Sequence, residues 1–304
     1  MNLKELAQKE ERFTSGHRMC AGCAAPIIVR DVLAATDSKV VVANATGCLE
    51  VASTIYPYSS WAVPWIHTAF ENAAATISGV EAAYQYLKRT GKTKEDVKFV
   101  AFGGDGGTYD IGLQSLSGAL ERGHDFTYVC YDNGAYMNTG GQRSSATPMG
   151  ASTTTAPAGK VHKGKEEWRK DLMQIAAAHH IPYVGQTSVS NWSDLLRKAE
   201  DAHKAKGPAV LLVLSPCTTL WGFKTSNSIE IAKMAVETRF WPLYECVDGE
   251  WKLNYKPKNE LTFRDFIKGQ ARFKHLLKEE ALLDTIQEHI EKEWARVLKL
   301  CGEQ

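Results

Sequence analysis

Short runs of consecutive apolar residues recur along the chain, separated by longer stretches with apolar positions at helical spacing. The runs are residues 39–43 (KVVVA), 98–102, 126–131 and 208–215 (PAVLLVLS), with a shorter one at Tyr183-Val184. Helix-compatible stretches cover residues 24–35, 71–87, 111–122, 169–178 and 192–206. Strands apolar on both faces, alternating with helices, predict an α/β fold: a mainly parallel sheet with helices on both faces. After residue 226 the pattern changes. A helix over 229–237 precedes short apolar runs around Asp248-Gly249, which read as a hairpin. Residues 262–304 form a charged amphipathic helical arm. The expected division is an N-terminal arm at 1–16 with a short helix, a body at 17–225, and a hairpin and helical extension at 226–304. Two stretches fit neither period: an aromatic, irregular segment at 56–68 and a polar loop from Asn133 to about Lys163. A loop that long inside a domain is usually functional.

Composition narrows the class without naming a chemistry. The 304 residues are 44% hydrophobic and 23% charged, ordinary for a soluble globular protein. A net charge of +1 supplies no general field for nucleic acid or a membrane surface. No apolar run approaches the ~20 residues of a membrane span, and the charged start MNLKELAQKEERF does not read as a signal peptide. The expectation is a cytoplasmic protein that binds neither nucleic acid nor membrane.

Chemistry concentrates at the ends of the predicted strands. GGDGGTYDIG follows the run at 98–102, and YDNGAYMNTG follows the run at 126–131. Asp105 and Asn133 therefore sit at the carboxyl ends of two strands, the edge where open parallel sheets bind ligands. A carboxylate with an amide oxygen suits a hard cation such as Mg2+, which fills its octahedron with ligand phosphates and water. Gly104, Gly106 and Gly107 let backbone approach those phosphates.

Seven cysteines, an odd number, argue against a disulfide framework. Cys20-x-x-Cys23 has metal spacing; Cys48 follows the first strand and Cys217 the strand at 208–215. Four thiolates would meet beside Asp105, suiting a structural zinc or a 4Fe-4S cluster; local spacing does not separate the two. Cys130, Cys246 and Cys301 read as structural. His67 reads as a satisfied buried histidine, Trp61 and Trp65 as residues for packing between subunits, and Thr46 and Glu50 as groups orienting the Cys48 loop.

Together these motifs carry a resemblance. GDG, 26 intervening residues and Asn is similar to the diphosphate motif of thiamine diphosphate enzymes. GHRMCAGC, NATGCLE, FGGDGG, Tyr131–Gln142 and Ser215-Pro216-Cys217 resemble the beta subunit of pyruvate:ferredoxin oxidoreductase, over about residues 14–275. The resemblance implies a thiamine diphosphate-binding fold. It implies Mg2+ held by Asp105, Asn133 and the Ala135 carbonyl, and diphosphate contacts from Gly104–Gly107 and from Asn133, Gly134, Ala135, Tyr136, Met137 and Asn138. It places a 4Fe-4S cluster on Cys20, Cys23, Cys48 and Cys217, with Cys48 also against the cofactor. The activating glutamate and the pyrimidine half-site would lie on an alpha subunit. Gamma and delta ferredoxin-like subunits, or fused domains, would complete the assembly. The implied reaction is oxidative decarboxylation of a 2-oxoacid, pyruvate favoured, with coenzyme A as acyl acceptor and ferredoxin as electron acceptor. Oxalate or another 2-oxoacid is the alternative substrate, and a non-catalytic scaffold with structural zinc the alternative class. The chain departs from the family where Gly134 replaces a common Glu and Thr218 a common Pro.

Overall fold

The computed structural model describes residues 3–303; the first two residues of the expected N-terminal arm lie outside them. Eight strands form one sheet: β1 (Lys39–Ala45), β2 (Trp65–Thr68), β3 (Val97–Gly104), β4 (Thr127–Asp132), β5 (Tyr183–Ser188), β6 (Ala209–Leu214), β7 (Tyr244–Val247) and β8 (Glu250–Leu253). Their order is β2-β1-β3-β4-β6-β5-β7-β8. The first six in that order run parallel, and β7 and β8 add antiparallel beside β5. Every residue of β4, β5 and β6 is buried, so both faces of the sheet are covered, which explains the apolar runs of β4 and β6; β5 buries Gln186, Thr187 and Ser188 as well.

The cover is helical. After α1 (Leu3–Leu6), α2 (Ala25–Ala34) packs on a later helix, α7 (Trp192–Lys204), which lies over β5 and β6. Between them in sequence come α3 (Cys48–Ser53), α4 (Ala73–Arg89), α5 (Leu113–Glu121) and α6 (Leu172–Ala177). The α4 helix packs on α5 and on β1 and β3. Its small residues Ala73, Ala74 and Ser78 are buried, the close approach its composition anticipates. Then follow α8 (Thr218–Trp221), α9 (Ser228–Glu237), α10 (Phe263–Ile267) and α11 (Glu280–Leu300). The α11 helix buries Leu283, Ile286, Ile290 and Val297 at helical spacing and turns its charged face outward.

Two sequence expectations need correcting. The segment at 56–68 ends in a strand, β2, paired with β1 from Val42↔Trp65 to Ala45↔Thr68. Four residues at a sheet edge give too short an alternation to read. His67, on that strand, is not buried: its side chain is 45% exposed. Trp61 packs within this chain: it is 8% exposed, stacked on Trp65, edge-on to Phe13 and tilted against Phe102.

The turn of topology falls between β1 and β3. The chain leaves β1 towards β2 and leaves β3 towards β4, so the loops after β1 and β3 diverge and open a crevice at the carboxyl edge.

A candidate cofactor and thiolate site at the sheet edge

Asp105 follows β3 and begins a turn of π-helix, Gly106–Asp110. It is fully buried. Its Oδ1 accepts the Asn133 N–H at 3.2 Å, and its Oδ2 accepts the Ser144 hydroxyl. Burial, then the nearby Asp132 charge, push its carboxyl well above the ordinary range, so a cation would have to offset both. One terminal atom of the Asn133 side-chain amide lies 2.8 Å from Asp105 Oδ1 and 2.8 Å from the Ala135 carbonyl oxygen. As NH2 it donates to both. As oxygen it completes a set of three converging oxygens, with the spacing that metal–oxygen bonds of ~2.1 Å give between octahedral neighbours, about 2.9 Å.

The turn carrying Asn133 is held from several sides. Asp132 Oδ1 accepts the Gly134 N–H at 3.1 Å, an Asx turn, and Gly134 takes φ +74. The Gly134 carbonyl accepts the Thr147 hydroxyl at 2.7 Å, and the Asn133 carbonyl accepts the Trp221 indole N–H at 2.7 Å. Asp132 Oδ2 accepts the Tyr109 hydroxyl at 2.9 Å and Arg169 Nη2 at 2.6 Å. The Tyr136 hydroxyl donates to the Gly106 carbonyl at 2.9 Å. A Cβ on Gly106 would stand 2.4 Å from the Tyr136 ring, so glycine there is a packing requirement. Gly104, Gly106, Gly107, Asn133, Ala135, Tyr136, Met137 and Asn138 all line one narrow cleft with Thr46 and Cys48; Asn138 is exposed at its rim.

A second cleft, of about 520 Å³, adjoins it. All four predicted cysteines, Cys20, Cys23, Cys48 and Cys217, line it. The two clefts share Cys48, Tyr131, Asn133, Met137 and Asn138. Cys48 opens α3 and Cys217 precedes α8, each just beyond a strand end. The Cys20–Cys23 turn is pressed on the segment before α9: Gly22 has φ +75, its carbonyl accepts the Ser228 hydroxyl at 2.5 Å, and a Cβ would meet the Thr225 carbonyl at 2.2 Å. Burial, reinforced by the other thiols, pushes Cys23 up to about 12 and Cys48 to about 11. Among the described residues no three Cys, His, Asp or Glu side chains are gathered closely enough to hold one ion. Four thiolates on a single zinc would stand about 3.8 Å apart, from Zn–S bonds of ~2.3 Å.

At the outer rim, His67 Nε2 lies 2.8 Å from the Thr46 hydroxyl and 3.7 Å from a Glu50 oxygen. Sequence reasoning missed Asp132, Arg169, Tyr109 and Ser144, which brace the Asp105–Asn133 pair. Asp132, in the same YDN triplet as Asn133, was the one with a local signal.

Residues 45–213 match the family described as thiamine pyrophosphate enzyme, C-terminal TPP binding domain. The chain is 50% identical to pyruvate synthase subunit PorB of Thermotoga maritima, over 99% of this chain and 96% of that one. It is 51% identical to the subunit of the same name from Methanocaldococcus jannaschii, over 93% and 95%. It is 43% identical to ketoisovalerate oxidoreductase subunit VorB of Pyrococcus furiosus, over 96% and 94%. Among solved structures, the fold is similar to a chain of 2-oxoglutarate:ferredoxin oxidoreductase from Magnetococcus marinus, with TM-score 0.57 and 22% identity over 74% of this chain and 81% of that one. The chain belongs to the thiamine diphosphate-binding beta-subunit family of the 2-oxoacid:ferredoxin oxidoreductases, of pyruvate synthase type.

Proposed function

We propose that this chain is the half of a cytoplasmic 2-oxoacid:ferredoxin oxidoreductase that holds the diphosphate of thiamine diphosphate, its Mg2+ and a 4Fe-4S cluster. The observation that carries the reading is the shared wall. The cleft lined by Asn133 and Ala135, beside the buried Asp105, and the cleft with four cysteines have Cys48 and Tyr131 in common. A scaffold with structural zinc has no use for the first cleft.

Thiamine diphosphate supplies the electron sink for decarboxylating a 2-oxoacid. This chain's part is placement. Asp105, Asn133 and the Ala135 carbonyl would hold Mg2+. Backbone at Gly104–Gly107 and the segment Asn133–Asn138 would hold the diphosphate. Cys20, Cys23, Cys48 and Cys217 would hold the cluster and release their protons on loading, since the pKa values of Cys23 and Cys48 lie well above neutrality. Pyruvate is the favoured substrate, with coenzyme A and ferredoxin as co-reactants. An alpha subunit would bring the pyrimidine half-site, and ferredoxin-like gamma and delta subunits or fused domains would lead electrons out.

Anaerobic purification of the assembly, with iron, acid-labile sulfide and thiamine diphosphate measured together, tests this. One thiamine diphosphate per copy of this chain is expected, with four irons from its own cluster in addition to those of any ferredoxin-like subunits. Asp105→Ala should lose the thiamine diphosphate and keep the iron. Stoichiometric zinc without iron would defeat the reading. Turnover of pyruvate against oxalate, 2-oxoglutarate and 2-oxoisovalerate then assigns the substrate.

A further inference from the structure

A cavity of about 320 Å³ lies between the sheet and α11, and shares no lining residue with the two clefts. Its walls are aromatic and aliphatic, with Trp168, Phe240, Trp241, Phe263, Ile286 and Ile290 among them. Besides His289, which is stacked on Trp168, two polar side chains on that lining make no hydrogen bond or ion pair among the described residues.

The first is Arg239. It follows the end of α9 with φ 62, in the left-handed position where helices usually place glycine. Its backbone N–H closes the helix on the Val236 carbonyl at 3.0 Å, a bond glycine would make equally well. The side chain therefore sits at a position that disfavours one. It lines the cavity and makes no hydrogen bond or ion pair among the described residues. The acids on the lining do not serve it: Asp171 and Glu293 are both bound by Arg296. Arg169 and Lys170 are occupied by Asp132 and Asp110.

The second is Tyr244, 3% exposed, whose hydroxyl has no hydrogen-bond partner. The charges that act on that hydroxyl include Asp171, Arg296 and Arg169, all on the cavity lining. That oxygen is not sealed in the core among the described residues, so a ligand in the cavity can reach it.

We propose that this cavity is a second ligand site, taking a small monocarboxylate with an aromatic or branched apolar body, its carboxylate held by Arg239 and Tyr244. The space equals that of about ten liquid waters, which suits an acid of roughly that many heavy atoms. The floor connects to the cofactor edge. Tyr109 and Arg169 line the cavity and bind Asp132 Oδ2, while Asp132 Oδ1 holds the Gly134 N–H. An occupant leaning on Arg169 is thus two hydrogen bonds from the Asn133–Ala135 turn, and binding at either place is felt reciprocally at the other.

Phenylacetate is the probe. It has the carboxylate and the ring but no 2-oxo group, so it cannot be consumed as substrate. Equilibrium dialysis of labelled phenylacetate against the intact subunit assembly should show one saturable site per chain. Arg239→Gly supplies the residue the backbone favours, so it should melt no lower than the parent and keep its thiamine diphosphate while losing at least ten-fold in phenylacetate affinity. Ile290→Trp should fill the space and abolish binding. The proposal is overturned if the parent shows no saturable binding or if both variants bind as the parent does. It is overturned equally if Arg239→Gly melts lower, because the side chain would then be serving the fold.

Discussion

Replacing Arg272 with methionine separates what a buried cation does for the fold from what it does for the site. Arg272 is 3% exposed. Its guanidinium carbon lies 3.5 Å from the Trp221 ring centroid and 4.7 Å from that of Phe273. Nε donates to Gln270 at 3.0 Å; among the described residues Nη2 has no partner and no carboxylate pairs with the guanidinium. Burial pulls its pKa well below the ordinary value, opposed by Cys217, Asp132 and Asp105. Yet Asp132 is already bound to Arg169, and Asp105 is pushed towards its neutral form. The chain alone does not give this cation a full counter-charge. Methionine would forfeit about 2 kcal/mol of cation–π attraction and about 2 kcal/mol from the charge-assisted hydrogen bond. It would also remove a desolvation penalty of several kcal/mol. The two sides nearly cancel, so the cofactor-free variant should melt within ~3 °C of the parent, at about 2 °C per kcal/mol for a chain of this size. A loaded site differs. In the loaded site proposed above, four thiolates would supply the missing anions, and a unit charge ~8 Å away is worth roughly 2 kcal/mol at an effective dielectric of 20. That is on the order of 90 mV for a one-electron couple. Removing the cation should lower the cluster's reduction potential by about that amount in an EPR-monitored titration. A cofactor-free chain destabilised by ~10 °C, or an unmoved potential, would refute the reasoning.

Gly106→Ala puts a Cβ 2.4 Å from the Tyr136 ring; overpacking of ~1–3 kcal/mol should displace that ring and lower thiamine diphosphate retention at least ten-fold. Adding Tyr136→Ala should restore room, whereas Tyr136→Phe should not, and the double-mutant cycle reads the coupling. Asp132→Asn leaves Arg169 half-buried without its anion, so a loss of ~3–5 kcal/mol in denaturant unfolding is expected. His203 is buried, with Nε2 2.9 Å from the Val32 carbonyl, and burial lowers its pKa from 6.5 to about 4. The unfolded chain takes up a proton below pH 6.5 and the folded chain only near pH 4. Stability is therefore full above pH 6.5 and falls between those values, by about 3 kcal/mol at ~1.4 kcal/mol per pH unit. His203→Gln should flatten that acid limb; an unchanged limb would assign it to other groups.

What the sequence conceals is set by how far apart the partners lie in the chain. Strands β3, β4 and β6 were legible because burial on both faces writes a continuous apolar run. Asp105, Asn133, Cys48 and Cys217 could be placed at strand ends from the apolar runs before them, whereas Cys20 and Cys23, ahead of α2, were marked only by their spacing. The edge strand β2 was not, since four half-exposed residues carry no period. Nor were the supports: Arg169 reaches Asp132 from beyond the long polar loop, and Arg272 arrives from the C-terminal third. The same distance bears on Gly134. Against the family's habit it read only as a missing acid. In the fold its Cβ position faces Arg272 Nη1 at 3.2 Å, in a backbone with φ +74 that favours glycine. An acidic side chain there would stand against this guanidinium, so its absence is one reason the cation lacks a counter-charge. The departure at 134 and the open valence at 272 are thus one feature seen from two ends of the chain. The charge beside Cys217 that the potential measurement would read is the charge a glutamate at 134 would have partly neutralised.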